Sequence, residues 1–116
     1  FFCLSLMWRK ANTYGSVPSP ARKHSASIVG KNIFFIGGSH IKEGAVVYNE
    51  VLIFDTETMY WSYPECSGDV PPPLCGHSST TIDEKIFVFG GGNESNYFND
   101  LYILDSKSYV WKKVKT

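Results

Sequence analysis

The sequence has no surplus charge of either sign. Its 11 basic and 11 acidic residues cancel to a formal net charge of zero over 116 residues. This balance argues against a nucleic-acid partner, which selects a basic face, and against electrostatic binding to a membrane surface. The 16% aromatic content and the ten glycines instead favour strands and turns in one small globular region.

Cysteines are few and odd in number. Cys3, Cys66 and Cys75 do not form a disulfide framework, so we expect reduced thiols and a cytoplasmic protein. Cys66, Cys75 and His77 lie close in sequence, but the spacing C-x8-C-x-H differs from the short cysteine pairs of zinc sites, and a fourth ligand is lacking. We therefore expect no metal and no cofactor.

The sequence also lacks a long apolar run. The apolar stretch from Phe1 to Trp8 is far shorter than the ~20 residues that a membrane span needs. It has neither the charged start nor the small-residue cleavage site of a signal peptide. No membrane partner is expected. Because the chain begins without methionine, we interpret it as a piece of a longer protein.

What the sequence does contain is a repeat. Residues of the same type recur at two constant distances: 53 residues separate Trp8 from Trp61, His24 from His77 and Gly37 from Gly90, and 50 separate Asp55 from Asp105 and Trp61 from Trp111. The three-residue difference falls between the glycine pair and the aspartate, as a loop insertion would. We predict two units, 11–63 and 64–116, preceded by the tail strand of another unit in 1–10.

Each unit is predicted to contain four short antiparallel strands. In the first unit, residues 24–29 and 32–36 read as strands around a Gly30–Lys31 turn, and 49–61 reads as a strand, a turn opened by Asp55 and a strand with Trp61. Apolar residues on both faces require a like neighbour on each side. Such sheets stacked around an axis form a β-propeller, and no segment has helical periodicity.

These residues resemble the kelch-repeat family. The resemblance rests on His-Ser, an apolar strand ending in two glycines, an apolar-Asp pair and a tryptophan at fixed distance, and it covers the chain from about Val17 onward. It implies an all-β, kelch-type β-propeller fragment of about two four-stranded blades, with further blades in the full-length chain. The structural repeat positions are His24, Gly37, Gly38, Asp55, Trp61, His77, Gly90, Gly91, Asp105 and Trp111.

The chain departs from the family pattern at three places, the first being that residues 1–7 lack the aspartate expected six residues before Trp8. Phe54 and Leu104 stand where the family has tyrosine before the aspartate, which keeps the apolar packing without the hydroxyl. The family arginine lies three residues before the histidine, whereas Arg22 lies two before His24 and Leu74 takes that place in the second unit. An arginine network is therefore not transferred to this chain.

Function is expected in the loops that differ between the units. The loops after the second and fourth strands lie at one end of an antiparallel sheet, and those after the second strand, 38–48 and 91–98, differ in length. Tyrosine and mixed charge suit a protein interface. The candidate contact residues are Ser39, His40, Lys42, Glu43, Tyr48, Asn93, Glu94, Asn96 and Tyr97. We expect a non-enzymatic scaffold that binds protein partners.

Two other functions stay open through the resemblance. Some propellers with kelch-like blades are copper-dependent galactose oxidases, and others are substrate adaptors for ubiquitin ligation. The glycine pairs do not form a phosphate loop, because G-x4-G-K-[ST] and a following helix are both lacking. The proline-rich stretches 15–21 and 67–74 occupy equivalent places between units, so we interpret them as rigid connectors rather than peptide ligands.

Overall fold

The computed structural model describes residues 7–18, 21–22, 24–40, 49–93 and 96–115. Over these ranges the chain forms strands and turns and no helix. The strands, in chain order, are Tyr14–Gly15 (β1), Ala21–Arg22 (β2), Ser25–Val29 (β3), Asn32–Ile36 (β4), Ser39–His40 (β5), Val51–Asp55 (β6), Tyr60–Ser62 (β7), Ser67–Gly68 (β8), Ser78–Ile82 (β9), Lys85–Phe89 (β10), Leu101–Asp105 (β11) and Val110–Val114 (β12).

Two five-stranded sheets share one topology. The first has the order β1-β7-β6-β4-β3 and the second β8-β12-β11-β10-β9, while β2 and β5 form a separate pair. In each large sheet the four long strands are antiparallel neighbours, in the order that the chain visits them. The predicted all-β fold, built from one unit used twice, is confirmed.

Each large sheet has one strand more than the sequence analysis predicts. The connector before each unit contributes a two-residue strand, β1 or β8, that runs parallel to the outer strand β7 or β12. In the second sheet, the N–H of Ser67 donates to the Tyr109 carbonyl and that of Asp69 to the Trp111 carbonyl. The connector thereby satisfies backbone groups that an uncovered edge strand would expose. Gly15 and Gly68, 53 residues apart, were the available sequence signal.

The turns follow from local chemistry. Gly30 (φ 59°) and Asp83 (φ 56°) open the two equivalent two-residue turns in the left-handed region, which glycine and aspartate tolerate best. Asp55 Oδ1 accepts hydrogen bonds from the N–H groups of Glu57 and Thr58 at 2.9 and 3.1 Å. This is the aspartate-opened turn that the sequence predicts, and Asp105 makes the same pattern in the second unit.

The core lies between the two sheets. Side chains alternate along each strand, so one face of the first sheet packs against one face of the second. The buried residues of this contact are Phe34, Ile36, Val51 and Ile53 from the first sheet and Ile86, Val88, Tyr102, Leu104 and Trp111 from the second. At the inner edge, β3 lies beside β9, and the hydroxyls of Ser27 and Ser79 are hydrogen-bonded at 2.6 Å.

The other face of each sheet has no sheet packed on it within the described residues. We call the open face of the first sheet the leading face and that of the second sheet the trailing face. The leading face carries Ile33, Phe35, Leu52, Phe54 and Trp61. The trailing face carries Phe87, Phe89, Leu101 and Ile103. Both faces are the apolar surfaces that the sequence predicts must be covered.

The chain before β1 does not complete another sheet in the described residues. Residues 7–13 lie outside any strand, and the Trp8 side chain is fully exposed. Residues 1–6 lie outside the described part of the chain. The tail strand in 1–10 therefore stays a prediction, as do the unit bounds 11–63 and 64–116.

We predict that Gly68→Ala destabilises the chain more than Gly30→Ala does. Both glycines have positive φ, so alanine at either position costs about 1 kcal/mol in backbone strain. A Cβ at Gly68 would also collide with the Trp111 carbonyl and lie 3.0 Å from the Val110 side chain, whereas a Cβ at Gly30 meets nothing within 4 Å. The extra cost at Gly68 should be roughly 1–3 kcal/mol.

Urea unfolding followed by tryptophan fluorescence, at one fixed protein concentration, measures this difference. Gly30→Ala serves as the matched control for the backbone effect alone. Equal midpoints for the two variants would show that the fifth strand contributes no packing constraint.

Candidate interaction face

Three chain segments meet at one end of the two sheets. They are the turn after β4 with β5, the connector between the units up to His77, and the loop after β10. The Gly38 N–H donates to the Leu74 carbonyl at 3.0 Å, which joins the first sheet to the connector. Cys75 and Gly92 exchange two backbone hydrogen bonds at 2.9 and 3.0 Å, which join the connector to the second loop. We call this end the loop face.

The glycine pairs form the base of the loop face. Gly37, Gly38, Gly90 and Gly91 all have positive φ, between 65° and 99°. A Cβ on Gly91 would lie 2.8 Å from the Cys75 carbonyl oxygen and 2.9 Å from the His77 Cβ, so only glycine fits there. These glycines let the chain leave a buried strand and pass directly over the connector. They position the loops and present no side chain of their own.

The loop after β10 is a small hydrogen-bonded hairpin. The Asn93 N–H donates to the Asn96 carbonyl at 2.9 Å, and the Asn96 N–H donates to Asn93 Oδ1 at 3.0 Å. Gly92 pairs with Tyr97 across this hairpin. The Tyr97 side chain is 95% exposed, which is exceptional for so large a ring. Glu94 lies outside the described residues.

The loop after β4 differs in one respect from the exposed contact surface that the sequence predicts. Ser39 is buried within the loop face, where its strand β5 pairs with β2. The backbone of His40 pairs with that of Ala21. Lys42, Glu43 and Tyr48 lie outside the described residues. Of the candidate contact residues, the structure therefore brings Asn93, Asn96 and Tyr97 together at the surface.

Equivalent repeat positions have different surroundings in the two units. His77 is buried between the sheets, and neither of its ring nitrogens has a hydrogen-bond partner among the described residues. His24 is exposed beside Phe35 on the leading face. Burial lowers the pKa of His77, with smaller and opposing effects of the Ile36 backbone and of His24. Trp111 is likewise fully buried and Trp61 only partly. The difference arises because another sheet covers only the second unit's positions.

Two aspartates, one lysine and one cysteine on these sheets and turns also have shifted pKa values. Backbone hydrogen bonds lower the pKa of Asp55 and of Asp105, since the N–H groups of their turns stabilise the carboxylates. Lys31 lies 3.2 Å from Asp55 Oδ2, and this contact raises the pKa of Lys31. Burial raises the pKa of the Cys66 thiol, which keeps it protonated and a poor nucleophile at neutral pH.

The described ranges contain no group of three or more His, Cys, Asp or Glu side chains placed to hold a metal ion. They contain no helix with the length and hydropathy of a membrane span. Cys66 and Cys75 are both free thiols.

Sequence reasoning did not single out Gly92, which anchors the loop face. Its backbone pairs with Cys75 on one side and with Tyr97 on the other. A Cβ there would lie against the Asn96 carbonyl and 3.2 Å from the Tyr97 Cα. The third glycine in the run Gly90-Gly91-Gly92 was the available signal, because the first unit has serine at the equivalent place.

The chain is similar to known proteins over nearly its whole length. A family model described as the KLHDC2/KLHL20/DRC7 Kelch-repeats domain matches residues 1–116. Acyl-CoA-binding domain-containing protein 4 of Arabidopsis thaliana is 31% identical over 112 residues, which are 95% of this chain and 16% of that protein. Host cell factor 2 of Homo sapiens is 34% identical over 112 residues, 95% of this chain and 14% of that protein.

A fungal relative extends the range of these matches. Tip elongation aberrant protein 1 of Schizosaccharomyces pombe is 34% identical over 108 residues, which are 89% of this chain and 9% of that protein. This chain therefore spans less than a fifth of the length of the relatives that it matches.

We predict that acid weakens the fold through His77. Because its pKa is lowered in the folded state, the unfolded chain binds this proton first as the pH falls. The contribution of His77 to stability is fully present above the unfolded-state pKa of about 6.5. Below that pH the free energy of unfolding decreases, by at most about 1.4 kcal/mol per pH unit. The lowered pKa values of Asp55 and Asp105 act only near pH 4 and below.

Urea unfolding at pH 7.5 and pH 5.5 tests this prediction. His77→Gln should remove most of the loss between the two pH values, each variant being compared with its own stability at pH 7.5. His24→Gln is the control, because His24 is the exposed repeat equivalent, and most of the loss should remain in this variant. An equal loss in the wild type and His77→Gln would contradict the prediction.

Proposed function

Because this chain belongs to the kelch-repeat family, we propose that it is a propeller segment that binds a protein partner through its loop face. The observation that carries this proposal is the exposure of Tyr97 on a hydrogen-bonded hairpin. Kelch repeats serve as protein-interaction modules, and the loop face is the end where the two units differ most.

Tyr97 has the properties of an interface anchor. Tyrosine is enriched among the residues that contribute most to protein binding, since it buries a large ring and can also donate a hydrogen bond. The bonds between Asn93 and Asn96 hold the hairpin before any partner arrives. A preformed hairpin loses little conformational entropy on binding, so most of the contact energy is retained in the complex.

The distribution of reactive groups supports a binding role rather than catalysis. The two described histidines whose side chains are placed, His24 and His77, occupy equivalent repeat positions, as structural residues do. The Cys66 thiol is held protonated by burial. We therefore propose a non-enzymatic scaffold. The free thiols of Cys66 and Cys75 support a reducing compartment, and we propose the cytoplasm.

The two open faces support a larger propeller around this chain. A sheet with both faces apolar is stable only when each face is covered, and the leading and trailing faces each lack such cover in the described residues. We propose that further kelch-type blades cover them. The relatives are several times longer than this chain, which leaves room for such blades and for other domains.

We predict that Tyr97→Ala weakens partner binding by about 2 kcal/mol, or about 30-fold. A photo-crosslinking amino acid at position 97 should yield a discrete adduct in extracts of cells that express the protein. The same group at Tyr60 is the matched control, because Tyr60 is half-exposed but begins β7 at the opposite end of the sheet.

Competition makes this experiment specific. Excess unlabelled wild-type chain should abolish the adduct at position 97, and excess Tyr97→Ala chain should not. Equal adducts at positions 97 and 60, or equal competition by both chains, would refute binding through the loop face.

A further inference from the structure

The contact between the two sheets joins unlike faces of equivalent units. The first sheet contributes the face that includes Phe34 and Ile36, and the second sheet contributes its opposite face, which includes Val88 and Leu104. A contact between unlike faces is heterologous, so it leaves one half of the same contact unused at each end of the pair. These unused halves are the leading and trailing faces.

The unused halves carry the repeat equivalents of the residues that already pack together. On the trailing face, Phe87, Phe89, Leu101 and Ile103 correspond to Phe34, Ile36, Val51 and Ile53 of the buried contact. On the leading face, Ile33, Phe35, Leu52, Phe54 and Trp61 correspond to Ile86, Val88, Tyr102, Leu104 and Trp111. The trailing face of one chain is therefore built to pack on the leading face of another.

Exposure separates the used half from the unused one at Phe89 and Ile28, whereas Leu52 on the leading face is as buried as its equivalent Tyr102. Phe89 is 52% exposed, whereas its equivalent Ile36 is 1% exposed in the contact between the sheets. On the leading face, Ile28 is 66% exposed, whereas the hydroxyl of its equivalent Thr81 is buried. The leading face is also held in shape, because the Trp61 ring lies 4.6 Å from Phe54 and 5.6 Å from Phe35.

A backbone donor gives a second, independent sign of the missing neighbour. The Gly38 N–H crosses between the sheets to the Leu74 carbonyl at 3.0 Å. Its repeat equivalent, the Gly91 N–H, donates to no backbone carbonyl among the described residues. The repeat equivalent of Leu74 is Ala21, so the carbonyl of Ala21 in another copy is the acceptor that this pattern supplies.

One hydrogen bond of the observed contact is not reproduced. The Ser27–Ser79 hydroxyl pair corresponds to Thr80 and Ala26, and alanine has no hydroxyl. The contact between copies is weaker by this bond. The net charge of zero imposes no overall repulsion between copies.

We propose that this chain, on its own, assembles head to tail, with the trailing face of each copy covered by the leading face of the next. Each copy supplies two sheets, and closed propellers have roughly four to eight blades. Closure therefore takes two, three or four copies in one ring. The proposal rests on the proposed function and concerns these 116 residues by themselves, whose own copies then take the place of further blades.

Sedimentation velocity over a range of concentrations tests the assembly with the whole chain. We expect one discrete species of two to four copies and no larger series. Phe89→Lys on the trailing face and Ile28→Lys on the leading face each place an ammonium group in the contact. Each should weaken assembly by roughly tenfold or more and yield monomers, without burying a charge within the monomer.

Mixing the two variants distinguishes head-to-tail packing from any other mode. The intact trailing face of Ile28→Lys should pack on the intact leading face of Phe89→Lys and form a 1:1 pair that does not grow. Tyr97→Ala is the control and should assemble as the wild type does, because Tyr97 lies on the loop face. Because Tyr97→Ala should lose partner binding but keep assembly, this variant distinguishes a failure of one proposal from a failure of the other.

Three results would overturn the proposal. The first is a wild-type chain that is monomeric at every concentration, whether folded or unfolded. This result would mean that only blades of a different sequence can cover the two faces. The second is assembly of either lysine variant as strong as that of the wild type. The third is a mixture of the two variants that stays monomeric where the wild type is assembled.

Discussion

The structure depends on the apolar contact between two sheets that are apolar on both sides. A strand such as Asn32–Ile36 carries large side chains on both faces, so the sheet cannot turn one face to water as many antiparallel sheets do. Each sheet therefore needs a sheet on either side. One face of each sheet is covered in the contact of Phe34 and Ile36 with Val88 and Leu104. The leading face and the trailing face remain without a neighbouring sheet in the described residues.

The same contact determines where the loops lie. Strand β3 lies beside β9, so the ends of the two sheets are brought level and their loops share one surface. The glycine pairs then let the connector pass close over the ends of the strands, as the bond from Gly38 to Leu74 shows. The result is a fixed backbone platform. The Tyr97 side chain projects from this platform toward solvent.

Position in the stack, rather than residue type, decides how each repeat residue behaves. His24 and His77 are equivalent in sequence, yet only His77 is buried, and burial lowers the pKa of His77. Trp61 and Trp111 differ in the same way. A residue of this family is therefore not characterised by its motif alone. Whether it titrates, packs or is exposed depends on whether the neighbouring blade is present.

The sequence by itself determined the fold class, the repeat and most strand bounds. Constant distances between His24 and His77 and between Asp55 and Asp105 marked the units, and short apolar runs between turn residues marked the strands. It did not predict the fifth strand. A two-residue strand has no alternation to detect, and its pairing depends on a partner strand about 43 residues away.

The loop face shows the same division. Sequence reasoning selected the two loops because their lengths differ, and it named Tyr97 among nine candidates. Only the tertiary structure determined that Ser39 is buried in the β2–β5 pair and that Tyr97 is exposed on its hairpin. The repeat spacing can be read directly from the order of residues along the chain. Burial depends on which segments pack together across many intervening residues, and the spacing carries no information about that packing.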